Sequence, residues 1–227
     1  MGFNSKDFNM LLVDRSAPVP AEKEIIESIP FMQGVLDFSM LLGERVFENR
    51  TITYTFRILG IDYDTHKAIE RELRQLLMPY GEQKLYDTHD EGYYWLGKCV
   101  NVSVDDDEEA RMLDIQLEFN CYPFLIGEAT YFDDVWDTFD FENDVANWTK
   151  YEVKGFKEIT LFNAGTNSVK PEVEATSDFK VIHKGETFVF KKGTTSNQLF
   201  SILPGLSTVR VEGTGTIAFH SRVEVMA

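Results

Sequence analysis

Apolar and polar residues alternate along the segment 46–58, VFENRTITYTFRI. The apolar positions are Ile52, Tyr54, Phe56 and Ile58, and the polar positions between them are Thr51, Thr53, Thr55 and Arg57. This period of two predicts a half-buried β-strand. Because the segment is longer than the usual strand of about five or six residues, we expect it to project past its own sheet. Such a projection could pair with a neighbouring chain.

The pattern changes to a helical period over residues 62–79. Apolar residues recur at helical spacing, at Ile69, Leu73, Leu76 and Leu77. This spacing predicts one amphipathic helix with Asp64 as N-cap and Pro79 at its end. Glu70 and Arg74 are four residues apart on its polar side and predict an ion pair. We expect the apolar stripe to pack on a sheet.

Alternation returns over residues 94–121 and predicts a hairpin with its turn at 105–110, DDDEEA. A second strand of the same sheet is predicted at 9–14. One register of the hairpin makes one face apolar. It pairs Val100 with Ile115, Val102 with Leu113 and Leu96 with Phe119.

The two cysteines of the chain flank this hairpin. In the predicted register Cys99 lies opposite Gln116 and points away from the face that carries Cys121. A disulfide needs Cα atoms within about 7 Å and converging side chains. We therefore predict two free thiols, as in a reducing compartment.

Short strands without a helix follow from residue 150 to residue 227. Turn signals separate them at 163–165, 183–185, 192–193, 204–205 and 213–215. Strands at regular short spacing predict a β-sandwich. The whole chain is thus predicted to be mainly β with one helix, an α+β N-terminal domain of sheets or a barrel plus one packed helix, followed by the sandwich.

The charge distribution divides the chain in the same way. The net charge is −16 overall, and it is −11 over residues 1–127, −7 over 128–149 and +2 over 150–227. We predict domains at 1–127 and 150–227, joined by an acidic, aromatic segment at 128–149. That segment is either a connector with one alternating strand or an acidic aromatic patch for a ligand. A chain this acidic is not expected to bind nucleic acid or anionic lipid directly, and the sequence predicts neither a signal peptide nor a membrane helix.

Candidate chemistry is sparse. His66, His89, His183 and His220 have no metal-binding or catalytic spacing, and the acidic run at 105–109 lacks the ligand spacing and central glycine of a calcium loop. We predict no catalytic residue, no cofactor and no metal site. Trp148 and Tyr151 are candidates for a sugar-stacking platform on the sandwich, and core packing is the alternative.

Several segments in order resemble one family. These segments are FNMLLVDRSAPVPAEK at the start, the 46–58 strand followed by the helix at 64–79, QLEFNCYPFLIGE, LFNAGTNSVKPEVEAT and FSILPGLSTVRVEGTGTIAF. Together they resemble the distal tail protein (Dit) family of long-tailed phages and prophages of Gram-positive bacteria. Ser207 departs from the family, which often has Asn there, and the departure affects a turn.

The resemblance implies a structural role without enzymatic activity. It implies a hexameric ring at the tail tip of the virion, assembled in the host cytoplasm. The N-terminal domains would form a belt that joins the tail tube to the baseplate or tail fibre. The C-terminal domains would be outward, galectin-like sandwiches to which receptor-binding proteins attach. The alternative function is a carbohydrate-binding protein that recognises a bacterial surface glycan through its C-terminal sandwich.

Overall fold

The computed structural model describes residues 2–41, 43–60, 62–107, 109, 111–130 and 150–227. The predicted fold class, mainly β with one helix, is confirmed for these residues. The chain divides into two compact units. Unit 1 is Met1–Leu85 with Trp95–Pro123, and unit 2 is Tyr86–Tyr94 with Phe124–Ala227.

Unit 1 is an antiparallel sheet with one α-helix. After a 3-10 helix at Ser5–Phe8, its elements are β1 (Leu11–Ser16), β2 (Ile26–Glu27), β3 (Leu36–Asp37), β4 (Arg50–Leu59), α1 (Tyr63–Leu77), β5 (Gln83–Leu85), β6 (Tyr93–Asp107) and β7 (Met112–Cys121). The strand order is β1-β4-β7-β6, and β5 pairs with β6. The strands β2 and β3 pair only with each other.

The strand predicted to project lies inside this sheet. The alternation predicted for β4 is confirmed, since its even-numbered residues from Arg50 to Ile58 are buried and the residues between them are exposed or half-buried. However, β4 pairs with β7 along its whole length and with β1 on its other side. The expectation of a free, projecting strand at 46–58 is therefore wrong, because neighbouring strands of the same chain already satisfy its backbone hydrogen bonds.

The hairpin of β6 and β7 has a different register from the predicted one. Val102 pairs with Leu117, not with Leu113, because β6 runs on through Asp107 and the turn begins later than predicted. The register also shifts between Cys99 and Asn101. Val100 is thus the extra residue of a β-bulge, and it is exposed rather than buried against Ile115.

Helix α1 packs on the sheet as predicted, with one correction at its start. The N-cap is Asp62, whose carboxylate accepts a hydrogen bond of 3.1 Å from the Thr65 amide, and not Asp64. Leu73 is buried, and the predicted ion pair is present, with 2.8 Å between Glu70 and Arg74.

Two side chains fasten this helix to β6. The buried imidazole of His66 contacts the carboxylate of Asp106 through Nδ1. A guanidinium nitrogen of Arg74 donates to the Val102 carbonyl at 3.3 Å. The helix is therefore held on the hairpin at both of its ends.

Both cysteines are free, as predicted, but they share one face of the sheet. Cys99 lies opposite Phe119, and Cys121 lies opposite Gly97. The predicted opposite orientation is wrong because this part of β6, before the bulge, is offset by three residues from the expected register. An odd offset turns every side chain to the other face.

We expect neither thiol to react in the folded protein. Burial raises the pKa of Cys121 to about 12, and burial also raises the pKa of Cys99. The thiolate is the reactive form of cysteine, and burial disfavours it at both positions. Intact mass after iodoacetamide treatment at pH 8 should show no adduct, whereas treatment in guanidinium chloride should add two. Rapid native alkylation of either cysteine would contradict the buried placement.

Unit 2 is built from the second half of the chain. Its strands are β8 (Leu125–Thr130), β9 (Lys150–Asn163), β10 (Glu172–Ala175), β11 (Phe179–His183), β12 (Glu186–Phe190), β13 (Gly193–Ser196), β14 (Gly205–His220) and β15 (Arg222–Val225). One sheet has the order β12-β11-β14-β10-β13, with β9 also on β14. Strand β8 pairs with β15 and with Tyr93 and Tyr94 of β6.

The 16-residue strand β14 organises unit 2. The predicted turn at 213–215 is wrong, because Gly213 and Gly215 lie inside this strand. On one side β14 pairs with β9 from Gly205 to Ala218. On its other side β14 pairs first with β11, up to Glu212 of β14. It then pairs with β10, from Ile217 of β14 onwards. The two glycines therefore lie where the strand passes from one neighbour to the next, a position that favours residues without a side chain.

The core of unit 2 consists of aliphatic side chains around a cluster of phenylalanine rings. Phe200 is fully buried, and its ring centroid lies 5.2 Å from that of Phe188 and 5.4 Å from that of Phe190. His183 is buried against the same ring at 6.1 Å. These rings bury large apolar surface in the core of the C-terminal strands.

Candidate interaction surface

A long extension of the β1–β4 hairpin, residues 24–45, is called the arm here. At its base the Lys23 amide donates to the Val46 carbonyl and the Glu48 amide donates to the Ala21 carbonyl, each at 2.8 Å. Arg45 forms an ion pair with Glu22 at the same level. The arm thus continues the ladder of the sheet, with β2 and β3 as its own short hairpin.

The arm has almost no core of its own. Of its described residues only Ser39 is buried, and Ser39 acts through hydrogen bonds: its hydroxyl accepts from the Ile25 amide, and its own amide donates to Asp37, both at 2.8 Å. The exposed large apolar side chains of the arm are Ile25, Ile26, Ile29, Phe31, Met32, Val35, Leu36, Phe38, Met40 and Leu41. A segment with so many exposed large apolar side chains is typical of a site of protein–protein contact.

Phe31 stands at the tip of the arm. Its side chain is fully exposed, and its backbone has a φ of 69° in the left-handed region. Bulky residues rarely adopt that region because the Cβ approaches the backbone too closely. The structure thus holds an exposed aromatic ring in a conformation that costs free energy, a feature associated with functional positions.

A second apolar surface lies at the edge of the same sheet. Strand β1 is the last strand of the sheet order, and among the described residues no strand pairs with its outer side. Leu11, Leu12 and Val13 are each at least half exposed. An edge strand with apolar side chains is normally covered by another chain or element.

Comparison with known proteins assigns the family. A family model described as "Phage tail protein RIFT-related domain" matches residues 4–121. This match covers more than half of the chain. The chain belongs to this family of phage tail proteins. No curated protein matches it in sequence.

The fold agrees with the family. The crystal structure of the Dit protein (gp 19.1) of phage SPP1 superposes with a TM-score of 0.63 and 11% sequence identity, over 94% of this chain and 93% of that one. A chain of the phage P2 baseplate in its activated conformation gives a TM-score of 0.41 and 9% identity, over 99% of this chain and 93% of that one. The resemblance to distal tail proteins is thus confirmed by the family domain and by the fold of nearly the whole chain.

The four histidines considered as candidates in the sequence do not form a common site in this phage tail protein. His66 and His183 are buried in the two units, His89 is exposed, and His220 lies 3.4 Å from Glu174. No group of three or more histidine, cysteine or acidic side chains within the described residues has the geometry of a metal site. In the same part of the chain, no helix has the length and apolar character needed to cross a bilayer.

The candidate sugar platform is only partly described. Trp148 and the rest of the acidic segment from 131 to 149 lie outside the described residues. Tyr151 is half-buried, and its hydroxyl donates to the Thr160 carbonyl at 3.2 Å. The exposed ring of Phe156 is covered on one side by the Arg210 guanidinium, 4.6 Å from the ring centre. Tyr151, the one described residue of the two platform candidates, is therefore not an openly exposed ring, and the glycan-binding alternative stays a prediction.

The arm is the surface that sequence reasoning missed. Its apolar residues follow neither a period of two nor a helical period, so they predicted no element. The available signal was the density of large apolar residues without period between two predicted strands, as in IIESIPFMQGVLDFSMLL. Such a stretch cannot form its own core face and therefore indicates a contact surface.

Proposed function

We propose that the protein forms a hexameric ring at the distal end of a phage tail and joins the tail tube to the baseplate or tail fibre. The observation that carries this proposal is the fold, shared over 94% of the chain with a Dit protein whose structure is described as a paradigm of the hub adsorption apparatus. The family domain at residues 4–121 supports the same role. In this role the protein is a structural component of the virion, assembled in the host cytoplasm, without catalytic activity.

The proposed division of labour follows the two halves of the chain. Residues 1–127 form the belt of the ring, and residues 150–227 form an outward, galectin-like sandwich to which receptor-binding proteins attach. The segment 128–149 connects them. The family match supports this division because it lies inside the first range.

A closed ring needs a heterologous interface that repeats between neighbours. Copies with a net charge of −16 repel one another, and apolar, uncharged surface allows them to meet without bringing like charges together. The exposed side chains of the arm and of β1 supply such surface in unit 1.

We expect the purified protein to assemble into closed six-membered particles as its concentration rises. Light scattering on a gel-filtration column should give a mass of about 157 kDa, six times 26.1 kDa. Negative-stain images of the same fraction should show a ring with a central hole. A monomer at every concentration tested, or a closed particle with another number of subunits, would contradict the hexameric ring.

A further inference from the structure

We propose that the arm of one copy binds the β1 edge of a second copy of this chain. The proposal rests on the proposed function, because it assigns the contact that repeats between neighbours in the ring. Each copy then donates an arm on one side and offers its β1 edge on the other, which is the arrangement of a heterologous interface.

The arm needs a partner for its own stability. A two-stranded hairpin without a covered face is marginally stable in water. The arm has only the two-residue strands β2 and β3, and Ser39 is its one buried residue among those described. Burial of its exposed apolar side chains would offset the entropy cost of ordering it. That burial is not supplied within the same copy, since both the arm and β1 are exposed in the single chain.

The charge pattern favours a second copy as the occupant. The arm contains no ionisable residue from 28 to 36 or from 38 to 43, although the chain as a whole is strongly acidic. A contact between two like-charged copies is opposed by repulsion unless uncharged surfaces meet. The core of a protein–protein interface is likewise depleted of charged residues.

The β1 edge is apolar, like the arm that is proposed to bind it. Leu11, Leu12 and Val13 present apolar side chains of 58%, 50% and 52% exposure. The outer side of β1 also offers backbone groups to which an extended segment can add as a further strand. On the donor side, residues 24–45 supply a segment of the size that a stable interface takes from one partner, about 20–30 residues.

Phe31 is the expected anchor of the contact. Residues that dominate binding are typically aromatic side chains that enter the partner at the centre of the interface. The fully exposed ring at the arm tip, held at a φ of 69°, fits this role. Leu199 is a matched control, because it is an apolar side chain of unit 2 with 79% exposure that lies outside the proposed contact.

The decisive experiment is photo-crosslinking in the full-length protein. Phe31→p-benzoylphenylalanine is introduced in one sample and Leu199→p-benzoylphenylalanine in another, each mixed with isotope-labelled wild-type chains. Illumination and mass spectrometry should then join the arm peptide to the labelled peptide that contains Leu11–Ser16. The Leu199 sample should show no such product. If the Phe31 sample yields no intermolecular product above this control, the proposed contact is overturned.

A second variant separates binding from folding. Phe31→Asn removes the ring and suits the left-handed backbone, because asparagine tolerates that region. We expect its self-association to weaken by at least about tenfold, whereas Leu199→Asn should associate like the wild type. At dilutions where both proteins are monomeric, the thermal unfolding temperature of Phe31→Asn should equal that of the wild type. Unchanged association of the Phe31→Asn variant would count against the arm as the contact.

The outcomes distinguish this contact from the proposed function. Rings that form without Phe31 crosslinks would overturn the arm contact and leave the ring standing. Arm crosslinks in open dimers or chains that never close would support the contact and reject the ring. A protein that stays monomeric and yields no crosslink would overturn both.

Discussion

Replacement of Gly213 by alanine is expected to destabilise unit 2 by about 3 kcal/mol or more. A Cβ atom at this position would lie 2.5 Å from Cδ1 and 2.9 Å from Cε1 of Phe179, and 3.1 Å from the Asp178 carbonyl oxygen. Phe179 is itself 1% exposed, so its ring has no free space into which to move. The backbone φ of 150° adds strain for any residue with a side chain.

The matched control for this prediction is Gly155→Ala. Gly155 pairs with Gly213 across the β9–β14 ladder and also has a positive φ, of 85°. No atom lies within 4 Å of a Cβ built there, so alanine meets only the backbone strain of about 1–2 kcal/mol. Urea unfolding of both variants, with hydrogen exchange to follow unit 2, measures the difference. An equal loss in the two variants would show that the contact with Phe179 contributes nothing.

The same glycines show why local sequence could not predict the course of β14. A Gly-x-Gly triplet has the same appearance in a turn as at a point where a ring packs on the backbone. The distinction depends on Phe179, which approaches from another strand of the sheet. Two predicted strands around 213–215 are therefore one strand, and information from distant residues decides between the alternatives.

In unit 1, the sequence predicted those elements whose apolar residues recur with a regular period on one buried face. The alternation of β4 and the stripe of α1 follow directly from burial against one layer. The bulge at Val100 was not predictable, because one inserted residue leaves a run of alternating residues on both sides. That single residue also decided on which face Cys99 lies.

The contact surface was the least predictable feature. Periodicity reports burial within one chain, and the arm residues are exposed in the single chain. The hydrophobic pattern of the sequence carries no information on the partner that covers the arm residues. The family resemblance indicated assembly, but it carried no information on which residues take part. The exposure of the arm and of the β1 edge is the observation from which their role as the contact is proposed.

The second large effect is expected for Arg50→Ala, at about 3–4 kcal/mol of lost stability in unit 1. Arg50 is buried, and its guanidinium lies 4.6 Å from the centre of the Trp95 ring. Its nitrogen atoms also donate to the Ala17 carbonyl at 2.5 Å and to the Pro123 carbonyl at 3.5 Å. One side chain thus ties together the chain after β1 and the chain after β7, and alanine would leave a cavity beside carbonyl groups that lose this donor.

Arg57→Ala is the matched control, since Arg57 lies on the opposite face of the same strand. Its guanidinium binds Asp114 through two bonds of 2.7 Å, and this partner lowers the pKa of the Asp114 carboxyl. Because both side chains are partly exposed to solvent, the loss of the pair should cost no more than about 1 kcal/mol. In urea unfolding, the free energy of unfolding of Arg50→Ala should be well below that of Arg57→Ala. The value for Arg50→Lys should lie between them, because lysine keeps the charge but loses the planar stacking on Trp95. If the two alanine variants were equally stable, Arg50 would not be the residue that fastens these two segments to the sheet.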